Sequence, residues 1–258
     1  ARSASLSLLE SIILGIVQGL TEFLPVSSSG HLVVMQSFFK NFSQPGILFD
    51  VTLHLGTVLA VVIYFRKRII EIFKNLKLVM LILISTAVTG AIGVAFKDVF
   101  EKMFTDVKLV GAAFIGTALI LLFAERFKRG DKTEKEMSWL QALFVGLIQG
   151  IAIIPGISRS GSTISAGLFA KLDRKFAAEF SFLLSVPAVL GAAVLEAKHL
   201  TKADMVNIDI AVYLTGLFAA AITGFFCTKL LVTIIQKQKL YIFSIYLLII
   251  GTIVLTVL

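Results

Sequence analysis

GIVQGLTEFLPVSSSG (15–30) and GLIQGIAIIPGISRSG (146–161) lie over each other without a gap at a shift of 131 residues. Six of sixteen positions are identical: Gly15/Gly146, Gln18/Gln149, Gly19/Gly150, Ser27/Ser158, Ser29/Ser160 and Gly30/Gly161. The matches include Gln, Gly and Ser, not only the Leu and Val that any apolar chain repeats by chance. The same shift carries Phe49, Leu53, Val58 and Leu59 onto Phe180, Leu184, Val189 and Leu190, so the halves read as copies of one unit. Each quoted stretch is an apolar run that ends in a Pro- and Ser-rich loop, where a water-facing end would carry charge.

The rest of the chain says which solvent surrounds those runs. It has 258 residues, is 57% hydrophobic and 16% charged, and has a mean hydropathy of +0.95, the profile of a polytopic membrane protein. A helix needs roughly 20 apolar residues to cross about 30 Å of hydrocarbon. Six segments qualify, at about 48–65, 79–96, 108–125, 177–196, 210–233 and 241–258. The first repeat then runs over about 6–127 with a re-entrant element at 6–40, and the second over about 138–258 with one at 139–171. One such element plus three spans is an odd number of crossings, which inverts the second copy relative to the first. The expectation is a single all-α membrane domain over 1–258, with an inverted-topology repeat, six transmembrane helices and two re-entrant helix-loop-helix elements.

Charge sets the orientation. Arg66, Lys67, Arg68, Lys74 and Lys77 follow the first span, and Arg126, Lys128, Arg129, Lys132 and Lys135 follow the third, which makes those loops cytoplasmic. Lys237 and Lys239 return the fifth span to the same side, so both chain ends are expected outside. The net charge of +8 is then a positive-inside signature, and nucleic acid is not an expected partner. The N-terminal apolar run contains Gln18 and Glu22 and lacks a small-residue cleavage site, which argues against a signal peptide. The single cysteine, Cys227, lies in a span and reads as packing. No Walker loop, Rossmann glycine pattern or HExxH is present.

Two broken elements entering from opposite sides can bring their tips together inside the bilayer, where irregular backbone survives only around a buried or wet site. In the first tip, Gln18 and Glu22 share a helix face and Pro25 ends the helix. A carboxylate at that depth wants a cation, a proton or a metal; capping or packing is the plainer alternative. Capping explains one of Ser27, Ser28 and Ser29, but not three serines followed by His31. In the second tip, Ser158, Arg159, Ser160 and Thr163 put a guanidinium among hydroxyls and helix-start amides, which is what a phosphate requires. Together the tips suit attack on phosphorus by Ser28, with His31 as base or acid. Glu22 either orients His31 or, with Gln18, holds a divalent cation such as Mg or Ca. Asp50 and His54 share a face of the first span and read as a helix-end hydrogen bond. Glu179 reads as a partner of Arg159, and His199 as a solvated loop residue.

At these residues the sequence resembles the bacterial undecaprenyl-diphosphate phosphatase family of the bacitracin-resistance type. Gln18, Glu22, Leu24, Pro25, Val26, Ser27, Ser28, Gly30 and His31 meet its first pattern; Pro155, Gly156, Ser158, Arg159, Ser160 and Thr163 meet its second. Phe49-Asp50, His54-Leu55-Gly56-Thr57 and Ala178-Glu179-Phe180-Ser181 also look like family segments, so the resemblance covers essentially the whole chain. It implies a multi-pass plasma-membrane enzyme of cell-wall lipid recycling, which hydrolyses undecaprenyl diphosphate to the monophosphate and inorganic phosphate at a site facing outside. It implies catalytic roles for Glu22, Ser28, His31 and Arg159, with Ser27, Ser29, Ser158, Ser160 and Thr163 around the phosphates. Gln18 takes an amide where the family often has Glu, which weakens the metal site at Gln18 and Glu22. Attack by Ser28 and direct attack by water both remain open, as does a homodimer. The rival reading is a transporter or flippase of the carrier lipid, alone or combined with the phosphatase.

Overall fold

The computed structural model describes residues 6–39, 47–127, 130–199, 208–236 and 240–258. The expected N-terminal position falls partly on 1–5, and Lys128, Arg129, Lys237 and Lys239 also lie outside the described residues. All regular elements among the described residues are helical.

Each half begins with the same local device. Helix α1 (Leu8–Thr21) starts at a capping box in which Ser7 and Glu10 satisfy each other's backbone amides. Helix α8 (Trp139–Ile151) starts at a second box, Ser138 with Gln141, 131 residues on. Both helices are too short to cross the bilayer and stop before a proline, and a second short helix follows each: α2 (Ser28–Ser37) and α9 (Arg159–Phe169). Helix α1 ends at Thr21 and α8 at Ile151, four residues before Pro25 and Pro155, so the chain leaves the helix earlier than the prolines alone require.

Among the described residues, five helices are long and apolar enough to cross a membrane: α5 (Leu76–Ala95), α7 (Val107–Arg126), α10 (Arg174–His199), α11 (Ile210–Gln236) and α12 (Leu240–Val257). The protein is an integral membrane protein with five such helices, or six if a bent pair is one span. That pair is α3 (Leu48–Tyr64) and α4 (Arg66–Ile72), which turn by 80° at Phe65. The expected span 48–65 is thus a 17-residue helix, about 26 Å at 1.5 Å per residue. The turn comes where the basic cluster begins, and Arg68 on α4 is held there by Glu134 and by Glu179 of α10. A short α6 (Lys97–Met103) follows α5. His199, expected in a loop, is the last residue of α10.

Glycine decides how the short helices dock. A Cβ on Gly15 of α1 would lie 2.5 Å from the carbonyl oxygen of Gly216 in α11, and one on Gly146 of α8 would lie 2.6 Å from that of Ser85 in α5. Only a residue without a side chain lets backbones approach so closely. Ser85 and Gly216 are themselves 131 residues apart. The exchange extends further: α1 packs on α11 as α8 packs on α5, and α3 packs on α11 as α10 packs on α5.

Candidate functional site

The two loop tips meet. Ser160 Oγ donates to the carbonyl of Leu24 at 3.0 Å, and the Arg159 guanidinium forms an ion pair with Glu22. Thr117 of α7 fixes the second tip from behind, donating to the Gly156 carbonyl and accepting from the Ser158 amide. The helix starts are capped alike, Ser27 Oγ accepting from Gly30 N–H and Ser158 Oγ from Gly161 N–H. The starts of α2 and α9 therefore line one shared space.

Glu22 is the hub of that space and is 5% exposed. One oxygen pairs with Arg159. The other accepts from Ser28 Oγ at 2.5 Å and from Gln18 Nε2 at 2.8 Å, and lies 3.4 Å from His54 Nε2. The pairing of Gln18 with Glu22 is the i, i+4 relation of the sequence. Arg159 repays the desolvation of Glu22, since a buried carboxylate beside a guanidinium costs far less than one alone. Ser27 has φ +66°, in the left-handed region that a serine rarely adopts, and this turn presents Ser28 to Glu22.

A cavity of about 350 Å³ opens from this cluster. Its polar floor is Glu22, Ser27, Ser28, Ser29, Ser158, Arg159, Ser160, Asp50 and His54, and α5, α6 and α10 supply its mostly apolar walls. Three expected site residues stand elsewhere. His31 does not line the cavity: its ring leans on Phe114 of α7 and stacks on Tyr246 of α12, with Nε2 2.7 Å from the tyrosine hydroxyl. Glu22 therefore does not orient His31, because α2 turns that ring away from the acid. Thr163 bonds the Arg159 carbonyl and Ser181 of α10, so its hydroxyl joins helices and does not face the phosphate space. Glu179 holds Arg68 and is no partner of Arg159.

The sequence assigns Asp50 and His54 to a helix-end hydrogen bond, and the structure also places both at the cavity floor. Their spacing of four inside an apolar helix carries the same signal that singled out Gln18 and Glu22. His54 Nδ1 donates to the Asp50 carbonyl at 2.7 Å, and Gln36 Nε2 donates to Asp50 Oδ1 at 2.5 Å.

A divalent cation needs open oxygen lone pairs, and Glu22 is instead surrounded by a guanidinium, a hydroxyl, an amide N–H and an imidazole. Gln18 Oε1 is buried without a partner among the described residues, but so is Gln149 Oε1, whose amide N–H bonds Thr89 and no acid. The orphaned oxygen thus belongs to both copies and is no mark of a carboxylate site. No three His, Cys, Asp or Glu side chains gather as metal ligands among the described residues. These side chains do not fit a resident cation at Glu22 and Gln18.

A family model described as bacitracin resistance protein BacA matches residues 11–253. The chain belongs to the BacA family. Relatives include proteins named undecaprenyl-diphosphatase from Carboxydothermus hydrogenoformans, 47% identical over 95% of both chains, and from Treponema denticola, 42% identical over 95% of this chain and 96% of that one. A third, from Methanosphaera stadtmanae, is 40% identical over 98% and 99%. Membership of the BacA family accounts for both motifs at once, since the match includes the two loops and all the candidate spans but the last few residues of the final one.

Proposed function

We propose that this protein is an undecaprenyl-diphosphate phosphatase that recycles the cell-wall lipid carrier, releasing inorganic phosphate and undecaprenyl phosphate. The observation that carries the reading is the Arg159–Glu22–Ser28 chain, which joins an anion clamp, a base and a nucleophile across the two loops. The relatives' name agrees with it and does not favour the transporter alternative.

In this mechanism the diphosphate enters against Arg159 and the amide-bearing starts of α2 and α9, which balance its charge. Ser28 Oγ–H already donates to Glu22, so the carboxylate takes that proton as Oγ bonds to the terminal phosphorus and the bridging P–O bond breaks toward the prenyl phosphate. Water then hydrolyses the phosphoseryl intermediate. Ser27, Ser29, Ser158 and Ser160 supply hydroxyls around the phosphate, and the apolar walls take the start of the prenyl chain. His31 Nδ1–H donates to the Ser27 carbonyl and is assigned here to holding that strained turn.

The membrane arrangement belongs to the same proposal: two re-entrant elements, within repeats at about 6–127 and 138–258, entering from opposite sides as inverted copies. The paired capping boxes, the paired glycine approaches and the exchanged helix packing support it. The cavity reaches Lys97 and Glu101 of α6, at the opposite end of the molecule's helices from the basic Arg66–Arg68 turn, which favours a site and chain ends facing outside. The test is phosphate release from a polyprenyl diphosphate by the purified chain in detergent. Release that Ser28→Ala abolishes is the expected result; no release by the unmutated chain would overturn the reading.

A further inference from the structure

Two histidines near the site are held alike and aimed differently. His31 and His54 each bond through Nδ1 to the main-chain carbonyl four residues earlier, Ser27 at 2.8 Å and Asp50 at 2.7 Å. A carbonyl only accepts, so both Nδ1 atoms carry hydrogen and Nε2 is the nitrogen left to exchange a proton. Nε2 of His31 meets the Tyr246 hydroxyl. Nε2 of His54 faces Glu22 Oε2, the oxygen that receives the Ser28 hydroxyl.

We propose that His54 is the proton store of the site, taking the Ser28 proton through Glu22. This rests on the phosphatase reading above. At 3.4 Å, Nε2 and Oε2 lie close enough for a proton to pass with a small movement, and no hydrogen bond joins them in the resting geometry. Glu22 already has Arg159 as its counter-charge, so a second cation is not needed at rest and His54 is neutral there. When Ser28 Oγ bonds to phosphorus and the bridging P–O bond breaks, its proton reaches Oε2 and moves on to the Nε2 lone pair. Imidazolium, carboxylate and guanidinium then stand side by side. When water displaces the seryl oxygen, the stored proton returns to Ser28 Oγ as it leaves, and both protons of the water depart on the inorganic phosphate, as dihydrogen phosphate. Without the store, Glu22 would stay protonated and uncharged beside Arg159 throughout the life of the intermediate.

Among the described residues, the charged and titratable groups around His54 are Asp50 on its own helix, Glu22 and Arg159 from the two loops, Lys97 and Glu101 of α6 and Glu196 of α10 lining the same cavity, and Tyr213 on α11, whose ring meets Phe49. Of these, Glu22 is the group at Nε2. His54 is a positioning and relay residue: it touches Glu22, not the substrate.

The chain has three histidines, so ¹⁵N-histidine NMR of the full protein in detergent can follow each, with His31→Gln and His54→Gln to assign them. The expected result is a neutral Nδ1–H tautomer for His54 at rest. Glu22→Gln should move its protonation to lower pH by about one unit or more, the effect of losing an adjacent negative charge, while His31 stays put. A His54 midpoint indifferent to Glu22, or a His31 midpoint that moves instead, would overturn the proposal. In turnover, His54→Gln should lower kcat about tenfold or more with little change in KM and remove an ionisation from the pH profile of kcat; an unchanged profile would also overturn it. An unmutated chain that releases no phosphate would break the phosphatase reading, and the NMR result would still judge His54.

Discussion

Residues 22–31 and 152–163 share a capping plan and do opposite electrical work. Both follow a short helix with a capping box, both cap the next helix with the first of two serines spaced by one residue, and in both those serine hydroxyls lie 3.3–3.4 Å apart. The residue between the serines differs: Ser28 in the first loop, Arg159 in the second. One loop therefore brings Ser28, the proposed nucleophile, and, with Glu22, a negative charge, and the other brings the positive charge. The backbones also differ. The first puts its positive φ on Ser27, directly before the nucleophile, and the second puts it on Gly156, where a Cβ would lie 2.6 Å from the Val110 carbonyl oxygen. The shared parts set where the helices start; the differences are confined to the chemistry and to the turn that aims it.

That contrast can be broken by exchanging its parts. Ser28→Ala removes the proposed nucleophile and leaves the second loop intact; phosphate release should fall at least about a thousandfold with substrate binding retained. A rate near that of the unmutated chain would favour direct attack by water. Arg159→Lys keeps the charge and loses the fork, and kcat/KM should fall about a hundredfold; a mild effect would remove the clamp from the mechanism. Gly156→Ala tests the backbone difference and should cost about 1–3 kcal/mol, seen as a lower unfolding temperature in detergent. Ala at position 27 in place of serine should cost only about 1 kcal/mol, from the lost cap. The smallest effect is expected from Gln18→Glu, which sets a second carboxylate against Glu22: activity should fall a few-fold and become more dependent on added Mg or Ca, about as a like-charge pair predicts. An unchanged metal profile would count against any cation between these two side chains.

Much of the fold was legible because hydropathy and spacing are local. The long apolar runs mark the spans, and the Pro- and Ser-rich loops within 6–40 and 139–171 mark where the short helices α1 and α8 stop. Gln18 and Glu22 were paired correctly because i, i+4 neighbours on a helix must meet. The 80° turn at Phe65 was not legible, since it depends on Glu134 and Glu179 holding Arg68 from remote parts of the chain. Thr163 was assigned to the phosphate from its motif, yet the helix places its hydroxyl one turn back and against Ser181.

The sequence by itself determined an integral membrane chain with two similar loops, an acid and three serines in one and a cation in the other. Each of these is written in residue type, spacing or self-similarity. Only the tertiary structure decided that Arg159 would pair with Glu22, and that His54 rather than His31 would face it. The two histidines make the same local bond, Nδ1 to the carbonyl four residues back. What their other nitrogens meet depends on which helices pack beside them, and that is settled by glycine-permitted approaches between segments far apart in the chain.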